Sequence, residues 1–243
     1  MTSLADIRYA TGTGRDVLAT AVYDALKERI LDQRLPAGVR LSIDALALEL
    51  GVSQTPMREA LVRLATERLL TCAAFKGYAV APMLTPRQLA NLFHVRRLLE
   101  IDAARQAAAR ILPSQLRAME RELAAQAAQS PSVAFADFRA FNRHDQRFHE
   151  LLVAAADNDM LLATYQLLAV HHHLSRLHFG HEPIDTPPLV AEHTAIYRAL
   201  DRRDSDAAAQ ATKSHLDAAE RLLSGFLDAP TVVRAATAAR KSG

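Results

Sequence analysis

Leu50-Gly51-Val52-Ser53-Gln54-Thr55-Pro56-Met57-Arg58-Glu59-Ala60-Leu61 decides the architecture of the first part of this chain. Gly51 can take the left-handed conformation that ends a helix, Val52 can fold back on that helix, and Ser53 can cap the next one. Pro56 falls in the first turn, where a missing N–H removes no intrahelical bond. Met57, Ala60, Leu61 and Leu64 then share the inward face. Gln54, Thr55, Arg58 and Glu59 stand opposite them near the N-terminal end, with Arg63 further on. A helix, a glycine turn and a second helix with an exposed polar start make a helix-turn-helix unit, whose second helix enters the major groove of DNA.

Upstream of this unit, a short helix is expected from Ile43 to Leu50. Before it, a longer one carries Val17, Ala21, Val22, Ala25, Leu26 and Ile30 on one side and stops at Leu35-Pro36-Ala37-Gly38. Residues 1–14 lack a period and read as a flexible lead-in. Downstream, Leu70 to Ala81 reads as a two-stranded hairpin turning at Phe75-Lys76-Gly77, which makes the unit winged. Cys72 reads as an ordinary small strand residue.

Pro82 and Thr85-Pro86 mark a change of domain, with Thr85 capping a long helix to about Arg110. Five more helices are expected at Pro113 to Gln129, Val133 to Ala156, Met160 to Phe179, Leu189 to Arg202 and Asp206 to Leu227. Breaks at Pro113, Ser130-Pro131, Asp157-Asn158, Pro183, Pro187-Pro188 and Asp204 separate them. The fold class is therefore mainly α: a winged helix-turn-helix over 15–82 and an antiparallel six-helix bundle over 86–227. Residues 228–243 lack an apolar stripe and read as a disordered tail.

Composition agrees. The 243 residues are half hydrophobic, with no Trp and only 8 Gly, a balance that favours helices over short strands and their turns. A formal charge of +2 leaves any nucleic-acid partner to a local basic surface. The single Cys excludes an internal disulfide. No segment reaches the ~18 apolar residues of a membrane span, and the start does not resemble a signal peptide, so a cytoplasmic location is expected.

In the bundle, polar residues fall on apolar stripes. Asp145 lies among Phe138, Phe141, Phe148 and Leu152, with His149 one turn away; His193 lies among Leu189, Ile196 and Leu200, and His215 among Ala208, Ala211, Ala218 and Leu222. One carboxylate and three imidazoles aimed at a single core suit a divalent metal, zinc first, with nickel, manganese or iron as alternatives, and leave a position for water or a ligand oxygen. The alternative is a set of core histidines satisfied by backbone carbonyls. Arg96, on the line Leu89, Leu92, Leu99 and Ala103, should also face inward, either as a bidentate clamp for an effector carboxylate or in an ion pair with Glu100. His171, His172 and His173 point in three directions and cannot all reach one ion; His172 or His173 could touch an effector, and His178 and His181 read as solvated or as part of a pocket rim.

Two resemblances follow. Leu35-Pro-Ala-Gly, Leu46-Ala47, Leu50-Gly51-Val52-Ser53, Thr55 to Leu61 and Lys76-Gly77-Tyr78-Ala79-Val80 together resemble the winged helix of GntR-family bacterial transcription regulators. That resemblance implies dimers on palindromic operators, with Arg34, Arg40, Gln54, Thr55, Arg58, Lys76 and Gly77 at the DNA. Arg58 suits guanine, Gln54 adenine, and Lys76 phosphate. The chain departs from the family pattern at Gln54, where Arg is usual, and at Arg68-Leu69-Leu70, which replaces Gly-Leu-Val. The bundle is similar to the FCD effector domain of the FadR-type branch, in its six-helix VanR-like form, through Val95-Arg96, Leu99-Glu100, Asp145, Phe148-His149, Leu151, Asn158, Glu192-His193, Ile196, Ala199-Leu200 and His215. This implies that Asp145, His149, His193 and His215 hold a metal that helps bind a small organic acid. The expected protein is a homodimeric repressor and not an enzyme. The rivals are the same regulator with a purely structural metal, and a metal-dependent hydrolase or lyase.

Overall fold

The computed structural model describes residues 15–73, 77–128, 135–168 and 185–228, of which 15–16, 135–139 and 228 are described in backbone alone. The chain divides into two compact units, Met1–Met83 and Leu84–Gly243. The expected lead-in, the tail beyond Asp228, Lys76 and the histidines from His171 to His181 lie outside the described residues.

In the first unit, helix α1 (Arg15–Leu31) leads through strand β1 (Arg40–Leu41) into α2 (Ile43–Leu50) and α3 (Gln54–Thr66), followed by β2 (Leu70–Ala73) and β3 (Gly77–Val80). Ser42 caps α2 by accepting from the Ala45 N–H at 3.3 Å, and Gly51 ends it in the left-handed region at φ 65°. There the Val52 N–H reaches the Ala47 carbonyl at 3.0 Å, which is the turn the sequence called for. Ser53 is extended before α3, but its side chain makes no capping bond. Leu26, Ile30, Met57, Leu61, Leu64, Leu70 and Val80 close an apolar core between the helices and the sheet. On α1 the stripe is shifted: Val17 is 40% exposed, while Ala19 and Tyr23 are buried.

The expected hairpin forms, β2 pairing antiparallel with β3, and a third strand joins it. Arg40 and Leu41 pair antiparallel with Ala79 and Tyr78, giving the order β1-β3-β2. Two residues are too few to show a period of two, so this strand left no pattern to read.

The second unit contains, among the described residues, α4 (Pro86–Arg110), α5 (Pro113–Ala127), α6 (Phe135–Ala154), α7 (Asp159–Leu167), α8 (Thr186–Asp201) and α9 (Ser205–Asp228). A capping box fixes the start of α4: Gln88 N–H donates to Thr85 Oγ1, and Thr85 N–H donates to Gln88 Oε1. Helix α8 begins earlier than expected, because Pro187 and Pro188 sit inside its first turn, where proline is tolerated, and do not break it. Two stripes are also rotated. On α4 the buried line runs through Leu89, Phe93, Arg96, Glu100, Ala103 and Ala107, and on α9 Leu223 is buried while Leu222 is 36% exposed. Ala-rich helices offer wide apolar faces, so spacing alone leaves their rotation open by one residue.

Candidate metal centre and nucleic-acid interface

Helices α4, α5, α6, α8 and α9 each contribute a polar side chain to one buried cluster. His149 and His193 are fully buried and His215 is 4% exposed, and one nitrogen from each lies within 4.8 Å of the other two. His193 Nε2 is 3.3 Å from His215 Nε2 and 3.3 Å from Asp145 Oδ1; His149 Nε2 is 4.0 Å from the same carboxylate oxygen. The structure thus brings together all four residues singled out on the stripes.

Behind each imidazole stands an oxygen acceptor. His149 Nδ1 lies 2.7 Å from Glu100 Oε2, His193 Nδ1 3.0 Å from Gln126 Oε1, and His215 Nδ1 2.9 Å from Glu192 Oε2. A carboxylate oxygen can only accept, so Nδ1 of His149 and of His215 carries the proton and Nε2 of each presents a lone pair, while His193 has an oxygen at both nitrogens, Gln126 Oε1 at Nδ1 and Asp145 Oδ1 at Nε2. His193 Nε2 lies 3.3 Å from both His215 Nε2 and Asp145 Oδ1, so the three atoms converge on one small volume that a proton or a cation can occupy. A divalent ion fits this donor set: imidazole nitrogens and a carboxylate oxygen in front, with an oxygen close behind each ring.

Electrostatics point the same way. Burial holds the His193 imidazole well below its usual range, and neighbouring His215 lowers it further. Burial likewise lowers His149, against the pull of Glu100. Both rings are therefore neutral at pH 7, the form in which an imidazole can bind a metal. Glu100 is the opposite case: burial works against its charge, yet Arg96 overrides burial and His149 adds to it, so the carboxyl lies far below the carboxylate range.

Arg96, 1% exposed, donates through Nε to Glu100 Oε1 at 2.7 Å, and its guanidinium lies 5.0 Å from the centre of the Phe93 ring. Of the two readings of Arg96, the internal ion pair is present. It extends into a chain, Arg96 to Glu100 to His149. Tyr165 is buried nearby at 3% exposure, its phenol raised by burial and by Glu100.

Sequence reasoning passed over Gln126. It follows Met119 and Leu123 on the buried face of α5, so the stripe argument that found His193 was available for it as well. Glu192 as a partner of His215 could not have been found this way, because that contact joins two helices across 23 positions of chain.

On the first unit, Gln54, Thr55 and Arg58 are exposed along the start of α3. Arg40 is exposed on β1. Gly77 opens β3 at φ 72°, a left-handed conformation that a side chain would strain. Arg34 is exposed too, but its guanidinium already faces Asp32 at 3.1 Å and Glu28 at 3.7 Å.

Comparison with known proteins agrees with both halves. The model of the family described as bacterial regulatory proteins, gntR family, matches residues 18–80, and that of the FCD domain matches residues 91–218. The chain is 30% identical over 198 residues to the HTH-type transcriptional repressor RspR of Escherichia coli K12, covering 80% of this chain and 84% of that protein. It is 28% identical to the galactonate operon transcriptional repressor of the same organism, over 82% of this chain and 93% of that one. The solved structure of E. coli McbR/YncC superposes with a TM-score of 0.68 at 22% identity, covering 84% and 96% of the two chains, which shows a shared fold. These relatives are regulators, and the enzyme reading is set aside with them. The chain belongs to the GntR family of bacterial transcription regulators, in the branch that carries a C-terminal FCD domain.

Proposed function

We infer that this regulator is a cytoplasmic homodimeric repressor of a palindromic operator, released by a small organic acid bound at a divalent metal in its FCD domain. One observation carries the reading: three imidazoles converge through Nε2 while Glu100, Gln126 and Glu192 hold each Nδ1 from behind. Asp145, His149, His193 and His215 would hold the ion, zinc by donor type, with nickel, manganese or iron as alternatives. When bound, the ion supplies an electropositive centre for an effector oxygen. Arg96 faces the same chemistry, since its guanidinium has more N–H groups than the Glu100 pair uses, and an effector carboxylate could take the remainder. The names of two relatives, a repressor and a galactonate operon repressor, support both the sign of regulation and an acid as the signal.

At the operator, Arg34, Arg40, Gln54, Thr55, Arg58, Lys76 and Gly77 are the proposed contacts. Coupling requires only that effector and operator prefer different arrangements of the protein, by ~1–3 kcal/mol. The test is metal analysis of the purified protein, followed by thermal-shift screening with hydroxy acids and sugar acids, and then operator binding with and without the best of them. The expected result is one equivalent of metal per chain and weaker operator binding in the acid. His193→Ala should abolish the acid response. A variant that loses thermal stability but still responds to the acid would make the metal a structural staple instead.

A further inference from the structure

Helix α2 places a carboxylate at the polar start of α3. Asp44, in the first turn of α2, is exposed, and its Oδ1 accepts from Gln54 Nε2 at 2.5 Å. Gln54 Oε1 in turn accepts from Arg58 NH2 at 3.2 Å. The direction of this chain is fixed chemically. A carboxylate can only accept and a guanidinium can only donate, so the amide between them has one possible orientation. Gln54 thereby commits one donor and one acceptor within the protein. It is less suited to reading adenine, which takes both ends of an amide, than to holding Arg58.

A negative charge here needs a reason. The start of α3 is the end a helix-turn-helix presents to the major groove, and a carboxylate one hydrogen bond from it is repelled by the phosphates on either side. The α2 dipole favours Asp44 locally, but any exposed position in that first turn would serve the dipole equally well.

We propose that Asp44 is a positioning residue for base readout: through Gln54 it orders the Arg58 guanidinium before DNA arrives, and so sets sequence selectivity at a cost in general affinity. Because Arg58 is freely jointed on a long side chain, ordering it in advance narrows the set of base pairs it can satisfy. The proposal rests on Arg58 reaching a base, and it makes opposite predictions for two quantities that a merely structural role would move together.

The test uses full-length protein. A duplex pool with a randomised core first selects the preferred sequence. Fluorescence anisotropy at fixed salt then measures binding to that duplex, to each of its single base-pair variants and to an unrelated duplex. With Asp44→Ala, the unrelated duplex should bind as tightly as with wild type or more tightly, because a charge repelling phosphate is gone. Discrimination at one base pair per half-site should fall about 5-fold, part of what a bidentate guanine contact provides. Asp44→Asn, whose Oδ1 can still accept from Gln54, should recover most of the discrimination while keeping the gain in general affinity. Unchanged discrimination in Asp44→Ala would overturn the relay, and so would equal losses on all duplexes. Arg58→Ala separates the two layers: if it leaves discrimination intact, Arg58 contacts no base and the underlying reading fails. If it removes discrimination while Asp44→Ala does not, the relay alone fails.

Discussion

The two units of this chain treat polar side chains in opposite ways. In the first, the buried side chains packed together are apolar, and every charged group described lies at the surface or half-buried. In the second, Arg96, Glu100, Gln126, Asn142, His149, Thr186, His193, Thr212 and His215 are all buried. Burying so many polar groups is costly unless each finds a partner; here Arg96, Glu100 and His149 are joined to one another and Gln126 to His193, while Thr212 turns to the Ala208 carbonyl and His215 to Glu192. The contrast matches the division of labour proposed above. A surface that reads DNA needs only a stiff core behind it, whereas a unit that responds to a small ligand must keep its chemistry inside, where water does not compete.

Carboxylates in the two units offer the sharpest way to break this comparison. Glu100→Ala strands a fully buried guanidinium and the Nδ1 of His149, and should cost about 3–5 kcal/mol. Glu67 is the counterpart in the first unit: it takes the Tyr23 hydroxyl and Lys27 Nζ, but its side chain is 30% exposed and that of Lys27 26%. Glu67→Ala should cost about 1 kcal/mol, because water can replace what is lost. Urea unfolding of both variants measures the difference, and equal costs would end the contrast.

Gln126→Leu asks whether the acceptors behind the imidazoles act on a metal or only on packing. Among the described residues its buried amide Nε2 has no hydrogen-bond partner, so leucine removes that defect and folding stability should change by less than about 1 kcal/mol. Metal affinity should nevertheless fall about 10-fold, since His193 loses the oxygen that holds its ring from behind at Nδ1. Competition with a chromogenic chelator reads this directly, and unchanged affinity would reduce Gln126 to a filler.

The smallest effect belongs to Arg97. It joins α4 to α9 by ion pairs with Asp217 at 2.8 Å and with Glu220, but its side chain is a quarter exposed. Arg97→Ala should cost about 0.5 kcal/mol, shrinking further in high salt. A salt-independent loss of several kcal/mol would show that the rim of the second unit behaves like its interior.

Most of the architecture was readable because the helices announce themselves at their ends. Gly51, Ser53-Pro56, Thr85-Pro86 and Asn158 are local signals, and the structure puts a boundary at each. The cluster was readable for a different reason: a histidine on an apolar stripe violates the pattern around it, and His149, His193 and His215 all did so. What escaped was either too short for a pattern, as with the two-residue β1, or a matter of a helix turning by one position. Leu92 and Leu99 fit the α4 period as well as Phe93 and Glu100 do, and only packing against other helices decides between them. Glu192 and Glu100 escaped as backing groups because their partners lie on other helices, where spacing says nothing.

Cys72 has a practical consequence. It is the chain's only cysteine, and it is exposed on β2. A single thiol accepts one maleimide dye per molecule, at a known place on the wing, with no competing site to remove by mutation. The same thiol is a hazard in any measurement of self-association, for in an oxidising buffer two chains can be joined there and nowhere else. A covalent dimer on a non-reducing gel would report that chemistry, so the native assembly has to be measured with a reductant present or with Cys72→Ser.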